Sequence, residues 1–324
     1  MKLINTCLLF IMLLASFSIA QTWEEIIKIT SQDRVANDYF GYSVSISGDY
    51  AIVGAYNKDA EGIISTEFQA GAAYILKNNS GVWSETQKLV APDFEYGANF
   101  GFSVAISGNY AIVGAPNESK DSLGANSVFY AGAAYIYKNN AGVWQFLKKI
   151  IAWDRSSFDK FGHSVAISDE YAVVASPDED EDETGANSIS SAGSVYIFKN
   201  DSDSWKKSTK LVAPDRAEND YFGTNVSISG EYIISGARYD GEDSEENNTK
   251  TEAGSAYIFY SNNGLWNQVQ KITASDRQDY DAFGRAVSIS GEYAAVGAFA
   301  HQLDIDGNNA LIGAGAVYIN IQLM

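Results

Sequence analysis

Residues 40–55 read FGYSVSISGDYAIVGA, and this stretch decides the fold. From Ser43 to Ser47 polar and apolar side chains alternate, the period of a half-buried strand. Gly48-Asp49 is a two-residue turn of the kind that accepts positive φ, and residues 50–55 read as a second strand. A polar loop then leads to a third strand at residues 72–76. Asn/Gly turn residues at 78–81 lead to a fourth, residues 82–90. No segment sustains a 3.6-residue apolar period, so almost no helix is expected.

The same unit recurs along the chain. Phe-Gly pairs stand at Phe40, Phe100, Phe161, Phe222 and Phe283, at intervals of 60, 61, 61 and 61 residues. Tryptophans keep the same step at Trp23, Trp83, Trp144, Trp205 and Trp266, and so do Tyr-Ile pairs at Tyr74, Tyr135, Tyr196, Tyr257 and Tyr318. The Gly turn also returns, except at Asp169-Glu170. A four-stranded unit of this size cannot bury both faces of its sheet alone, whereas stacked neighbours can. Small residues on the first strand (Ser43, Ser103, Ser164, Ala286) let adjacent sheets approach. Radial stacking predicts an all-β propeller of five four-stranded blades. Units of about 23–82, 83–143, 144–204, 205–265 and 266–324 divide the domain at 21–324. Residues 23–30 align with 266–273, while the last unit stops after its third strand. The N-terminal strand is therefore expected to pair into the last blade and close the ring, rather than leave an open solenoid.

Composition narrows the function. Among 324 residues, 41 acids against 22 bases leave a net charge of −19. That balance disfavours nucleic acid and anionic lipid, both of which need clustered Lys/Arg. Residues 1–20 carry Lys2, a short apolar core and Ser18-Ile19-Ala20, the pattern of a secretory signal peptide. The expected location is secreted, periplasmic or cell-surface, without membrane insertion. The single cysteine, Cys7, falls in that leader, and His163 and His301 are the two histidines. Thiol catalysis, a Cys-based metal site and a multi-histidine site thus lack raw material.

Phe40-Gly41 with Val53-Gly54-Ala55, and above all Phe100-Gly101 with Gly114-Ala115-Pro116, resemble the FG-GAP repeats of bacterial exported proteins and of integrin α-subunit propellers. The resemblance covers all five units. It implies propeller blades and an extracellular recognition role; it does not imply an enzyme, and none is expected. Integrin propellers have seven blades against five here. Their calcium loop between the first two strands is shortened here to residues 47–50, too short for the six to eight oxygens Ca²⁺ takes.

Antiparallel connectivity puts the long 2–3 and blade-to-blade links on one face and the short turns on the other. The long-loop face is strongly acidic at 178–183, 240–246 and 304–307. No cofactor is required there. Calcium is the one ion its acids suit, with Asp178, Asp180 and Asp182, or Asp304 and Asp306, as oxygen ligands, against the plainer reading of solvated loops. An Asp precedes every Phe-Gly by seven residues (Asp33, Asp93, Asp154, Asp215, Asp276), and a second acid precedes four of them by two (Asp38, Asp159, Asp220, Asp281). Repetition in every blade favours a structural task such as Asx turns. Positions where the copies differ are better ligand contacts: Tyr42, Phe102, His163, Thr224 and Arg285 after each Phe-Gly, and Asp240, Glu242 and Asp243 in one loop. Two function classes follow. The favoured one is a non-catalytic adhesion module that binds an extracellular protein or glycan, cationic or metal-bridged, through the acidic face. The alternative, a carboxylate-dependent polysaccharide hydrolase or lyase, needs paired acids on the inner strands, which carry Ser, Ala, Val and Ile instead.

Overall fold

The computed structural model describes residues 24–59, 69–93, 95–245, 248–307 and 310–322; the expected leader at 1–20 and Trp23 lie outside them. All regular structure among the described residues is β. Blade 1 contains β1 (Val44–Ser47), β2 (Tyr50–Ala55), β3 (Ala72–Asn79) and β4 (Val82–Leu89). Blade 2 contains β5 (Ser103–Ser107), β6 (Tyr110–Ala115), β7 (Ala133–Asn140) and β8 (Val143–Ile150). Blade 3 contains β9 (Ser164–Ile167), β10 (Tyr171–Ser176), β11 (Ser194–Lys199) and β12 (Lys206–Leu211). Blade 4 contains β13 (Phe222–Ser229), β14 (Tyr232–Ala237), β15 (Ser255–Asn262) and β16 (Leu265–Ile272), and blade 5 contains β17 (Phe283–Ser290), β18 (Tyr293–Ala298) and β19 (Ala316–Ile321). Each sheet is an antiparallel meander in chain order.

Local chemistry explains the hairpins. Ser47 pairs with Tyr50 across Gly48-Asp49, and Gly48 sits at φ 57°, where a side chain would be strained. The third copy has no glycine there; Ser168 Oγ accepts the Tyr171 N–H at 3.0 Å and closes the turn.

The inner strands β1, β5, β9, β13 and β17 lie side by side and line a central cavity. Their serines act by more than small size. Ser43 Oγ accepts from Val104 N at 3.0 Å and Ser45 Oγ from Ile106 N at 3.1 Å, so one blade's hydroxyls satisfy the next blade's unpaired backbone. The Phe-Gly pair is a second stitch. Phe100 N donates to Ala70 O at 2.9 Å, its ring is fully buried against Tyr135, and Gly101 at φ 90° brings its backbone against the Ala72 carbonyl, where a Cβ would collide. Tryptophans complete the contact: Trp144, Trp205 and Trp266 pack edge-on against Tyr50, Tyr110 and Tyr171 of the preceding blade. The core therefore lies between blades.

Blade 5 corrects the expected closure. Residues 24–30 form no strand, and the fifth sheet has three strands. Ile75, Ile136 and Ile197 are 0% exposed, yet the equivalent Ile319 is 67% exposed. Val104, Val165 and Val226 are buried against a preceding blade, while Val44 is 67% exposed. Gly71, Gly132 and Gly254 each bridge to the Phe of the next blade, whereas Gly315 lies against Phe299 of its own. The physical reason is that close glycine and serine contacts fix the step between blades. Four such steps join the five blades, and among the described residues Val44 of blade 1 and Ile319 of blade 5 stay exposed. The described residues thus form a five-bladed propeller with an open seam between blades 5 and 1.

Candidate functional site

The residue after each Phe-Gly begins an inner strand on the long-loop face. Tyr42, Phe102, His163, Thr224 and Arg285 thereby converge on the mouth of one cavity of about 750 Å³. Their identities divide the mouth into two arcs. On blades 1 and 2, Tyr42 packs against Phe102 at 5.1 Å and Tyr56 at 4.5 Å, with Tyr39 stacked on Tyr56. On blades 3 to 5 the mouth turns cationic. Arg238, the first residue of the blade 4 loop, lies over Tyr221 and Tyr239 at 5.1 and 4.6 Å, and Arg285 lies over Phe299 at 4.7 Å. His163 stands between the arcs, 5.1 Å from Phe102. Burial, then Arg238, Arg285 and Lys160, pushes its imidazole down to about 4, so it is neutral at physiological pH. Burial also raises the nearby Asp178 carboxyl, against the pull of Lys160 and Arg238.

Behind the mouth, a polar hub repeats in each blade. Three residues past the second strand stands a buried ionisable side chain: Lys58, Glu118, Glu179, Asp240 or His301. In blade 3, Lys210 Nζ lies 2.7 Å from Glu179 and 2.8 Å from Asp154, and Tyr196 OH donates to Asp154 at 2.8 Å. In blade 4, Lys271 holds Asp240 at 2.8 Å together with Asp215, and Tyr257 donates to both acids. Burial is the first influence on Asp240, but Lys271, Tyr257 and the Glu242 N–H together outweigh it and lower the acid. Blade 1 inverts the pattern, with Lys58 paired to Asp38 at 2.9 Å, and blade 5 sets His301 between Asp276 and Asp281.

These hubs give the repeated acids their roles. The Asp seven residues before Phe-Gly is structural through Tyr and Lys rather than through an Asx turn. The turn belongs to the second acid: Asp38, Asp159, Asp220 and Asp281 each accept the N–H three residues earlier. The hub position is a functional feature that the repeat landmarks do not mark, although an ionisable residue stands there in every copy. The arginine after the repeated Asp is another: Arg155, Arg216 and Arg277 clamp the 2–3 loop carbonyls, as Arg277 does with Gly241 O and Asn248 O at 2.7 Å.

The acidic loop at 178–183 does not gather its acids. Asp182 accepts from Thr184, Ala186 and Asn187, bonds that hold it well below the usual carboxylate range, and Asp180 accepts from Ser191 N. Asp304, in a different blade, accepts from Asp306 N. Asp243 caps Glu245 N, and Asp240 is buried in its hub with Glu242 beside it. Among the described residues, the acids brought within 4.8 Å of one another are Asp220, Asp240 and Glu242. The Lys271 ammonium already neutralises part of that group.

Set against known families, residues 23–76, 83–137, 144–198, 205–259 and 266–320 each match the FG-GAP repeat. No curated protein matches the chain.

Proposed function

The chain belongs to the FG-GAP repeat family, whose propellers are typically binding modules, and we propose that it is a non-catalytic extracellular recognition module. Its partner, a protein or a glycan, docks on the long-loop face over the central mouth. The observation that carries this reading is the contrast between the frame and its opening. Phe-Gly pairs and hairpins repeat from blade to blade, while the mouth presents five different side chains at one equivalent position. Recognition needs such asymmetry on a rigid support. The described residues contain no helix long and apolar enough to cross a membrane.

A cationic or metal-bridged partner would depend on the rim acids. Asp180 and Asp182 already accept bonds from their own loop, and Asp240 is paired with Lys271, so the mouth is the better docking centre. Polysaccharide cleavage would call on the hub carboxylates. Glu118, Glu179 and Asp240 are buried between blades and held by lysines, out of a substrate's reach. The test is a binding screen against extracellular glycans and proteins with three forms of the protein: wild type, Phe102→Ala, and a variant altered at the opposite turns 78–81 and 139–142. Binding should survive in the turn variant and fall in Phe102→Ala. The reverse pattern would place the partner on the other face.

A further inference from the structure

Three features of the mouth have no structural use in the frame. Arg238 and Arg285 contact aromatic rings and, among the described residues, no carboxylate pairs with either guanidinium. The Nε of Arg238 and the Nδ1 of His163 are buried without a hydrogen-bond partner. A protein of net charge −19 thus concentrates unpaired positive charge at the centre of its most acidic face, facing an aromatic arc in which Tyr42 is 53% exposed. Below the mouth, Ser43 and Ser45 line the cavity wall; each Oγ accepts a backbone N–H of the next blade and keeps its own O–H to donate.

We propose that the mouth binds a carboxylated saccharide, a uronic acid residue within a longer glycan. Arg238 and Arg285 receive the carboxylate, and the sugar ring lies on Tyr42 and Phe102. This rests on the reading of the long-loop face as the docking face and specifies its ligand. Planar guanidinium groups match a carboxylate in charge and geometry. Aromatic faces suit the apolar face of a sugar ring, and wall hydroxyls suit its edge, which an acidic peptide would leave unmatched. The neutral His163 adds a hydrogen-bonding edge without opposing the anion. Asp178 lies near Lys160 and Arg238, and burial raises its carboxyl against their pull.

The test is calorimetric titration of the whole chain with oligogalacturonate, oligoglucuronate and oligomannuronate, their methyl esters, and an oligoglutamate peptide. At least one uronate should bind at millimolar concentration or below, its ester about tenfold more weakly. Arg285→Gln, at an exposed position, should remove the difference between acid and ester without changing the melting temperature, and Phe102→Ala should weaken both forms. Binding should weaken as salt rises. Equal affinity for acid and ester, no binding by any uronate, or tighter binding of oligoglutamate would each overturn the proposal. A neutral ligand lost in Phe102→Ala would sink the charge assignment and leave the docking face standing. A uronate lost only in the turn variant would sink the face itself.

Discussion

Asp159 shows how much one residue's surroundings decide. Its carboxylate accepts the Ser156 N–H in a turn visible in the sequence pattern, but it is also buried near Glu179, Glu181 and Asp154. Burial first, then these acids, pushes it up to about 8. An acid whose folded pKa lies above its unfolded value binds more protons when folded, so its contribution to stability falls as pH rises from about 4 to about 8. Asp159→Asn keeps the acceptor and removes the titration. The variant should melt higher than wild type at pH 8, by on the order of 1–2 kcal/mol, with the gain shrinking toward pH 5. A gain independent of pH would mean that the carboxyl is not held neutral. Residue roles were partly legible: the spacing of the repeated acids marked them as structural. Their partners were not, because in blades 1 to 4 a Tyr and a Lys reach the first acid from positions some 40 and 55 residues downstream, as Tyr196 and Lys210 reach Asp154.

At the scale of elements, the sequence carried the hairpins, the strand order and the repeat, since turn chemistry and period-two patterning act locally. The contact between blades is where side-chain absence matters. Gly162 and Gly41 both hold φ near 93°, so alanine strains either backbone by roughly 1 kcal/mol. A Cβ on Gly162 would also strike the Ala133 carbonyl, whereas Gly41 has open space around it. Gly162→Ala should therefore cost at least about 2 kcal/mol more than Gly41→Ala in denaturant unfolding. Equal losses would show that the Phe-Gly stitch is not a close contact.

Across the whole molecule, the number of blades was legible and the seam was not. Matching the first strand-like segment to the missing last one is a pattern argument, whereas the curvature of the stack follows from contacts that no single unit reveals. Equivalent positions give an internal comparison. Ile136→Ala should cost about 2–5 kcal/mol, as for a buried core position, while Ile319→Ala should cost less than about 1 kcal/mol. Similar losses at both would mean that blades 1 and 5 meet in solution. The long-loop face was legible as a face from connectivity alone. Its cationic centre was not, because Arg238 and Arg285 come from different parts of the repeat and meet only when the blades stack.

The proposed recognition surface is the mouth where five unlike side chains crown five like blades. Hydrogen exchange followed residue by residue, with and without a bound uronate oligomer, tests it most directly. Added protection is expected where the inner strands begin, around residues 42, 102, 163, 224 and 285, and none at the hairpin turns 47–50, 107–110 and 229–232. Protection confined to those turns or to the outer strands would contradict it.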